Sequence, residues 1–433
     1  MRTNRLYLVS FFFLYFIPAT VFCQQIRLEQ KNRSGLYKTG ENIEMFAFSD
    51  GTVSDSVTIT VIQNNKKQIE KKSVLCGNDS LLVFRGSLSI PCTIMLTAKF
   101  KGGMVSLGSA VEPERIQPGS MPPKDFKAYW KNQRKALNAL PWEVKSTPVK
   151  NETIPETFTV EDIEINCLGP KPARGYMAKP AAAKSRSLPV VLLVHAAGVK
   201  GSWCRSETSN ALKYAKMGAL CFDLNAHGML NGQPEEYYDQ LEKGELKGYW
   251  MQGVTSREDY YFRGMYLRLM RTIDYLSRQP EWDGKRILVI GESQGGGQAL
   301  ASAGLDSRVS AVVALVPAMC DWFGALADRR GGWPQPFESE ASKEEMKKVL
   351  PYFDAANLLK GSKAAIFTEI GFIDVTCPAA SVYAAVNQTK GKKIIYGVPY
   401  REHHQPPAET TLAKLWQETV YKPREKFIND FLK

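Results

Sequence analysis

Apolar and polar positions alternate along residues 43–48, 56–62, 81–84, 93–100 and 105–111, and turn residues break the runs from one another. A period of two marks strands with one buried face, and no helical period interrupts it. Lys101, Gly102 and Gly103 stand where a hairpin must reverse. The pattern predicts a small all-β, immunoglobulin-like sandwich over residues 24–117.

A proline-bearing segment at 112–123 reads as a linker, and the texture changes beyond it. Apolar runs at 157–165, 188–195, 219–224, 287–290, 309–316, 364–370 and 393–396 now alternate with helical patterns at 125–140, 208–217, 258–278, 294–303 and 410–431. Near-continuous apolar runs belong to strands buried on both faces, so residues 118–433 are expected to form an α/β domain, a mostly parallel sheet with helices on both sides. Residues 229–253 fit neither period and are expected to insert as a lid or substrate loop.

The first residues lie outside both patterns. Arg2 and Arg5 precede a mostly apolar run at 6–17, and no acidic residue occurs before Glu29. This is the form of a cleaved signal peptide over residues 1–23, which implies a secreted or periplasmic protein. The run is short of the roughly 20 apolar residues that a membrane span needs. Lipid attachment at Cys23 fits less well, because bulky Phe22 stands where such sites carry a small residue.

The eight cysteines are too irregularly spaced for a disulfide scaffold or a zinc ribbon. Cys76 and Cys92 could bridge in an oxidising compartment, whereas Cys221 and Cys320 lie beside apolar strands and read as core. The net charge of +12 is scattered rather than striped, which suits an acidic polysaccharide and gives no sign of nucleic-acid binding.

The chemistry centres on Gly291-Glu292-Ser293-Gln294-Gly295, between a buried strand and a helical run. A serine in such a sharp turn needs glycine on both sides, and this context marks Ser293 as a nucleophile of the α/β-hydrolase type. A serine hydroxyl attacks only when a base takes its proton, and in this fold the chain order is serine, acid, histidine. Of the four histidines, His195 and His227 precede Ser293, which leaves His403 and His404. Asp374 follows the penultimate strand where the acid belongs; Glu369 and Asp354 are its rivals.

The oxyanion of the intermediate needs two backbone amides, one from Gln294 and one from the turn after an earlier strand, where Ala197 is preferred and Ala196 is the alternative. His195 is expected to brace that turn. No metal-ligand spacing appears, and neither metal nor cofactor is expected.

These residues resemble the acetyl xylan esterase and cephalosporin-C deacetylase family, carbohydrate esterases of the α/β-hydrolase superfamily. The likeness starts at Pro123-Lys124-Asp125-Phe126-Lys127-Ala128-Tyr129-Trp130 and includes Tyr260-Tyr261-Phe262-Arg263-Gly264-Met265-Tyr266. It continues through the elbow extended to Gly296 and through Gly371-Phe372-Ile373-Asp374 with Cys377-Pro378. The resemblance implies Ser293, Asp374 and His403 as nucleophile, acid and base, and an acetylated carbohydrate as substrate.

Three places depart from the family pattern. Asn225 and His227 replace an arginine and a glutamine, His195-Ala196-Ala197 replaces His-Gly-Tyr, and His403-His404 replaces His-Glu. Asn225, His227 and His404 are therefore candidates for the substrate pocket. The β module lies outside the usual family domain, which leaves the homo-oligomer that the resemblance implies open. A broad carboxylesterase or a peptidase on the same scaffold, or an inactive carbohydrate-binding protein, are the alternatives.

Overall fold

The computed structural model describes residues 26–49, 56–76, 80–339, 341–404 and 406–433. The expected signal peptide and Cys23 lie outside the described residues.

Eight strands come first: β1 Ile26–Gln30, β2 Leu36–Tyr37, β3 Ile43–Ser49, β4 Ser56–Gln63, β5 Lys67–Leu75, β6 Leu81–Gly86, β7 Cys92–Phe100 and β8 Gly103–Val111. They form two sheets, β1-β3-β6 and β2-β8-β7-β4-β5. Alternate residues of most of these strands meet in one core, among them Ile43, Met45, Ile59, Val61, Ile94 and Leu96. The β7–β8 hairpin pairs Phe100 with Gly103, so Lys101 and Gly102 make the turn. The pattern missed β5: it mixes Lys67, Glu70, Lys71 and Lys72 with apolar residues and none of its residues is fully buried, as suits the edge of a sheet. Cys76 and Cys92, which could have bridged, are buried free thiols.

Residues 112–123 are not a loose tether. Asn387 Nδ2 donates to the carbonyls of Pro113 and Ile116, and the Gly119 amide donates to Asp321 Oδ1 at 2.6 Å.

Nine strands follow: β9 Val144–Pro148, β10 Phe158–Ile165, β11 Ala173–Pro180, β12 Leu188–Val194, β13 Leu220–Asn225, β14 Trp282–Glu292, β15 Ala311–Leu315, β16 Ala365–Gly371 and β17 Lys393–Val398. They lie in the order β17-β16-β15-β14-β12-β13-β11-β10-β9, and the six from β17 to β13 are mutually parallel. Val190, Leu192 and Val194 of β12 face a core built with the helices Tyr261–Leu276 and Gln294–Leu305. Val191 and Leu193 face the helices Thr208–Ala215 and Lys422–Leu432 on the other side. This is the α/β-hydrolase fold preceded by an all-β unit. Residues 229–253, expected as an irregular insertion, contain a helix at Glu235–Lys243 and a short turn of helix at Tyr249–Met251.

Candidate active site

Parallel strands leave their carboxyl ends on one edge of the sheet, and four of those ends bring the candidate residues together. Ser293 follows β14, Asp374 follows β16, His403 follows β17, and Ala197 follows β12.

Ser293 adopts φ 54° and ψ −120°, the strained turn expected of the elbow. A Cβ on Gly291 would lie 2.3 Å from the Gly295 backbone, and one on Gly295 would lie 2.4 Å from the Val194 carbonyl oxygen. Both glycines are therefore demanded by close approach of the backbone. The Ser293 amide donates to Leu315 O at 2.9 Å, which ties the turn to β15.

Ser293 Oγ lies 2.9 Å from His403 Nε2, and His403 Nδ1 lies 2.8 Å from Asp374 Oδ2. The other carboxylate oxygen of Asp374 accepts the amides of Thr376 and Cys377 at 2.8 and 2.7 Å. Asp374 and His403 are buried; His404, its ring edge-on to His403, is exposed. The rival carboxylates are occupied elsewhere. Glu369 pairs with Arg401, and Asp354 accepts the amides of Asp321, Trp322 and Ala356.

Gln294 opens the helix Gln294–Leu305, where the first amides have no intrahelical acceptor. Its side-chain Oε1 accepts the hydroxyl of Tyr249. Ala197 stands in the turn after β12, and its carbonyl accepts the indole N–H of Trp203 at 3.3 Å. Behind that turn, His195 Nε2 meets Asp223 Oδ1 at 2.5 Å. Burial opposes charge on His195, but the charge and hydrogen bond of Asp223 outweigh it and hold the imidazole above its ordinary value.

Asn225 and His227 present almost no surface to solvent. His227 Nδ1 meets the Tyr261 hydroxyl at 2.6 Å, and Nε2 meets Gly198 O at 2.8 Å. Asn225 Oδ1 accepts the His227 amide. Asn225, His227 and Tyr261 brace the turn after β12 through Gly198 instead of lining an open pocket. Burial, helped by the Arg268 guanidinium, drives the His227 imidazole down to about 3, so it is neutral.

Two features escaped the sequence reading. Arg401, two residues before His403, is buried: its Nε lies 2.9 Å from Glu369 Oε1, and its Nη1 donates to the carbonyls of Glu402 and His403. Nothing in the linear pattern separates it from a surface arginine. In addition, ligating atoms of Asp374, Cys377 and His403 lie within 4.8 Å of one another, a cluster invisible to sequence spacing. A metal fits poorly there, because Asp374 is committed at both oxygens and burial pushes the Cys377 thiol well above its usual range.

A strand-nested serine elbow with this relay is common to many hydrolases, so the arrangement alone does not select a family. A model of the acetyl xylan esterase family matches residues 112–418. The chain belongs to the acetyl xylan esterase family. Like other members of the acetyl xylan esterase family, it is a carboxylic-ester hydrolase. The acetyl esterase Axe7A of Xylanibacter ruminicola is 28% identical over 397 residues, which cover 89% of this chain and 88% of that one.

Two solved acetyl xylan esterases share the fold. That of Paenibacillus sp. R4 superposes with a TM-score of 0.60 at 24% identity, over 74% of this chain and 99% of its own. Acetyl xylan esterase 1 of Thermoanaerobacterium sp. JW/SL YS485 superposes with a TM-score of 0.58 at 20% identity, over 74% and 98%.

Proposed function

We propose that the protein is an exported serine esterase that removes acetyl groups from acetylated carbohydrate, xylan oligosaccharides or another plant glycan, through an acyl-enzyme. The observation that carries this reading is the relay Ser293 Oγ to His403 Nε2 at 2.9 Å and His403 Nδ1 to Asp374 Oδ2 at 2.8 Å. With Nδ1–H donated to Asp374, Nε2 is the acceptor that the serine proton needs. His403 takes that proton as Oγ adds to the acetyl carbonyl carbon, and the Gln294 and Ala197 amides hold the oxyanion. The intermediate collapses, and the sugar hydroxyl leaves with the proton from His403. Water then attacks acetyl-Ser293, with His403 again as base, and acetate departs.

Family membership and the acetyl esterase relative favour an acetyl donor on a sugar. The charged and apolar pattern of residues 1–23 favours export. The test is acetate release from acetylated xylo-oligosaccharides, acetylated pectin and simple acetylated sugars. Release that disappears in Ser293→Ala supports the reading. Turnover of an aryl acetate with none of the glycans deacetylated would remove the carbohydrate from it.

A further inference from the structure

The β sandwich holds no member of the relay, yet its backbone and one side chain reach the loops that carry the acid and the base. Between β4 and β5 the chain reverses at Gln63-Asn64-Asn65-Lys66, with the Lys66 amide on Gln63 O at 3.0 Å and φ of 52° and 54° at Asn64 and Asn65. Two successive left-handed residues make a type I′ turn, which asparagine tolerates better than other side-chain-bearing residues do. The turn is anchored on both of its sides. Asn64 Oδ1 accepts the Thr93 amide, Asn64 O accepts the Arg330 amide at 3.0 Å, and Lys66 Nζ donates to Ala325 O. So held, Asn65 Nδ2 donates to the main-chain carbonyl of Asp374 at 3.2 Å.

A second contact joins the same unit to the base. The amide of Gly108 in β8 donates to Pro399 O at 2.8 Å, on the loop leading to His403. A Cβ at Gly108 would stand 2.4 Å from the Cβ of Phe372, two residues before Asp374. The sandwich therefore grips both loops from outside the α/β domain.

We propose that Asn65 is a positioning residue for ester hydrolysis: by holding the Asp374 carbonyl it fixes the turn that aims the Asp374 carboxylate at His403. The inference rests on Asp374 acting as the acid of the relay. Asp374 lies in a short irregular loop after β16, so its orientation depends on the bonds made to it. A shift of about 1 Å in such a group can cost on the order of a hundredfold in rate.

The test compares Asn65→Gly in the full-length protein with the same change in an Asp374→Asn background. Glycine keeps the left-handed turn without strain and removes only the side-chain donor. We expect kcat to fall about tenfold with KM within twofold of wild type and the melting temperature within about 3 °C. In Asp374→Asn, already slowed, the same change is expected to cost no more than twofold, because the group being aimed has gone. Asn65→Asp, which suits the turn but cannot donate when ionised, is expected to lose at least as much as Asn65→Gly, and it serves if the glycine variant folds poorly. Unchanged kcat in both Asn65 variants, or equal losses in the two backgrounds, would overturn the proposal while leaving the relay intact. An Asp374→Asn protein as active as wild type would overturn the relay reading and the proposal with it.

Discussion

Replacing Arg401 by methionine separates what this residue does for the fold from what it does for His403. Its ion pair with Glu369 is sealed, with side-chain exposures of 3% and 1%. Methionine keeps much of the volume but strands the Glu369 carboxylate, which retains the indole N–H of Trp416 at 2.7 Å. Removing one partner of a buried pair costs about 3–5 kcal/mol, because the other charge stays desolvated. At about 2 °C per kcal/mol for a large domain, the melting temperature should fall by roughly 6–10 °C.

Adding Glu369→Gln removes the stranded charge and keeps an acceptor for Trp416. The double variant should therefore recover more than half of that loss, as neutral replacements of buried pairs commonly do. Activity should not recover, because the carbonyls of Glu402 and His403 have lost their donor in both variants. Thermal melts by circular dichroism and hydrolysis of p-nitrophenyl acetate read the two quantities independently. A double variant with wild-type kcat would show that Arg401 does not hold the base, and a single variant that melts within 2 °C of wild type would refute the argument from stranded charge.

Ser293→Ala should lower kcat by more than a thousandfold and leave the melting temperature within about 2 °C, and a variant retaining a tenth of the rate would reject Ser293 as nucleophile. His403→Gln should lose nearly all activity and the exposed His404→Gln less than threefold; equal losses in steady-state kinetics would contradict the assignment. His227 is held neutral down to about pH 3, whereas the unfolded chain protonates it near 6.5, so it depresses stability as pH falls from about 6.5 towards 3. His227→Gln should remove about one proton from that dependence, about 1.4 kcal/mol per pH unit well below 6.5, and an unchanged slope in urea melts between pH 7 and 5 would reject a buried neutral imidazole. Prolonged treatment with EDTA should leave turnover unchanged, and a loss restored by zinc would assign a metal to Asp374, Cys377 and His403.

The sequence carried those features that depend on local stereochemistry and on chain order. Period-two runs marked most strands of the sandwich, apolar runs marked all six parallel strands, and the glycines around Ser293 announced a turn that no side chain fits. It left edge strands such as β5 and the wholly exposed β9 unseen, because half or more of their positions face solvent and carry the polar residues of a loop.

Only the tertiary structure decided which polar residues meet. Asp374 and His403 are 29 positions apart, and Asn65 and Asp374 are 309 apart; no periodicity links such pairs. Asn225 and His227, named as pocket candidates because they depart from the family pattern, are sealed behind the turn after β12, since burial depends on the helix and loop that the rest of the chain lays over them. Arg401 and Asn65 carry no mark in the sequence pattern. What sets them apart is the neighbour that long-range packing supplies: a buried carboxylate for one and the backbone of Asp374 for the other.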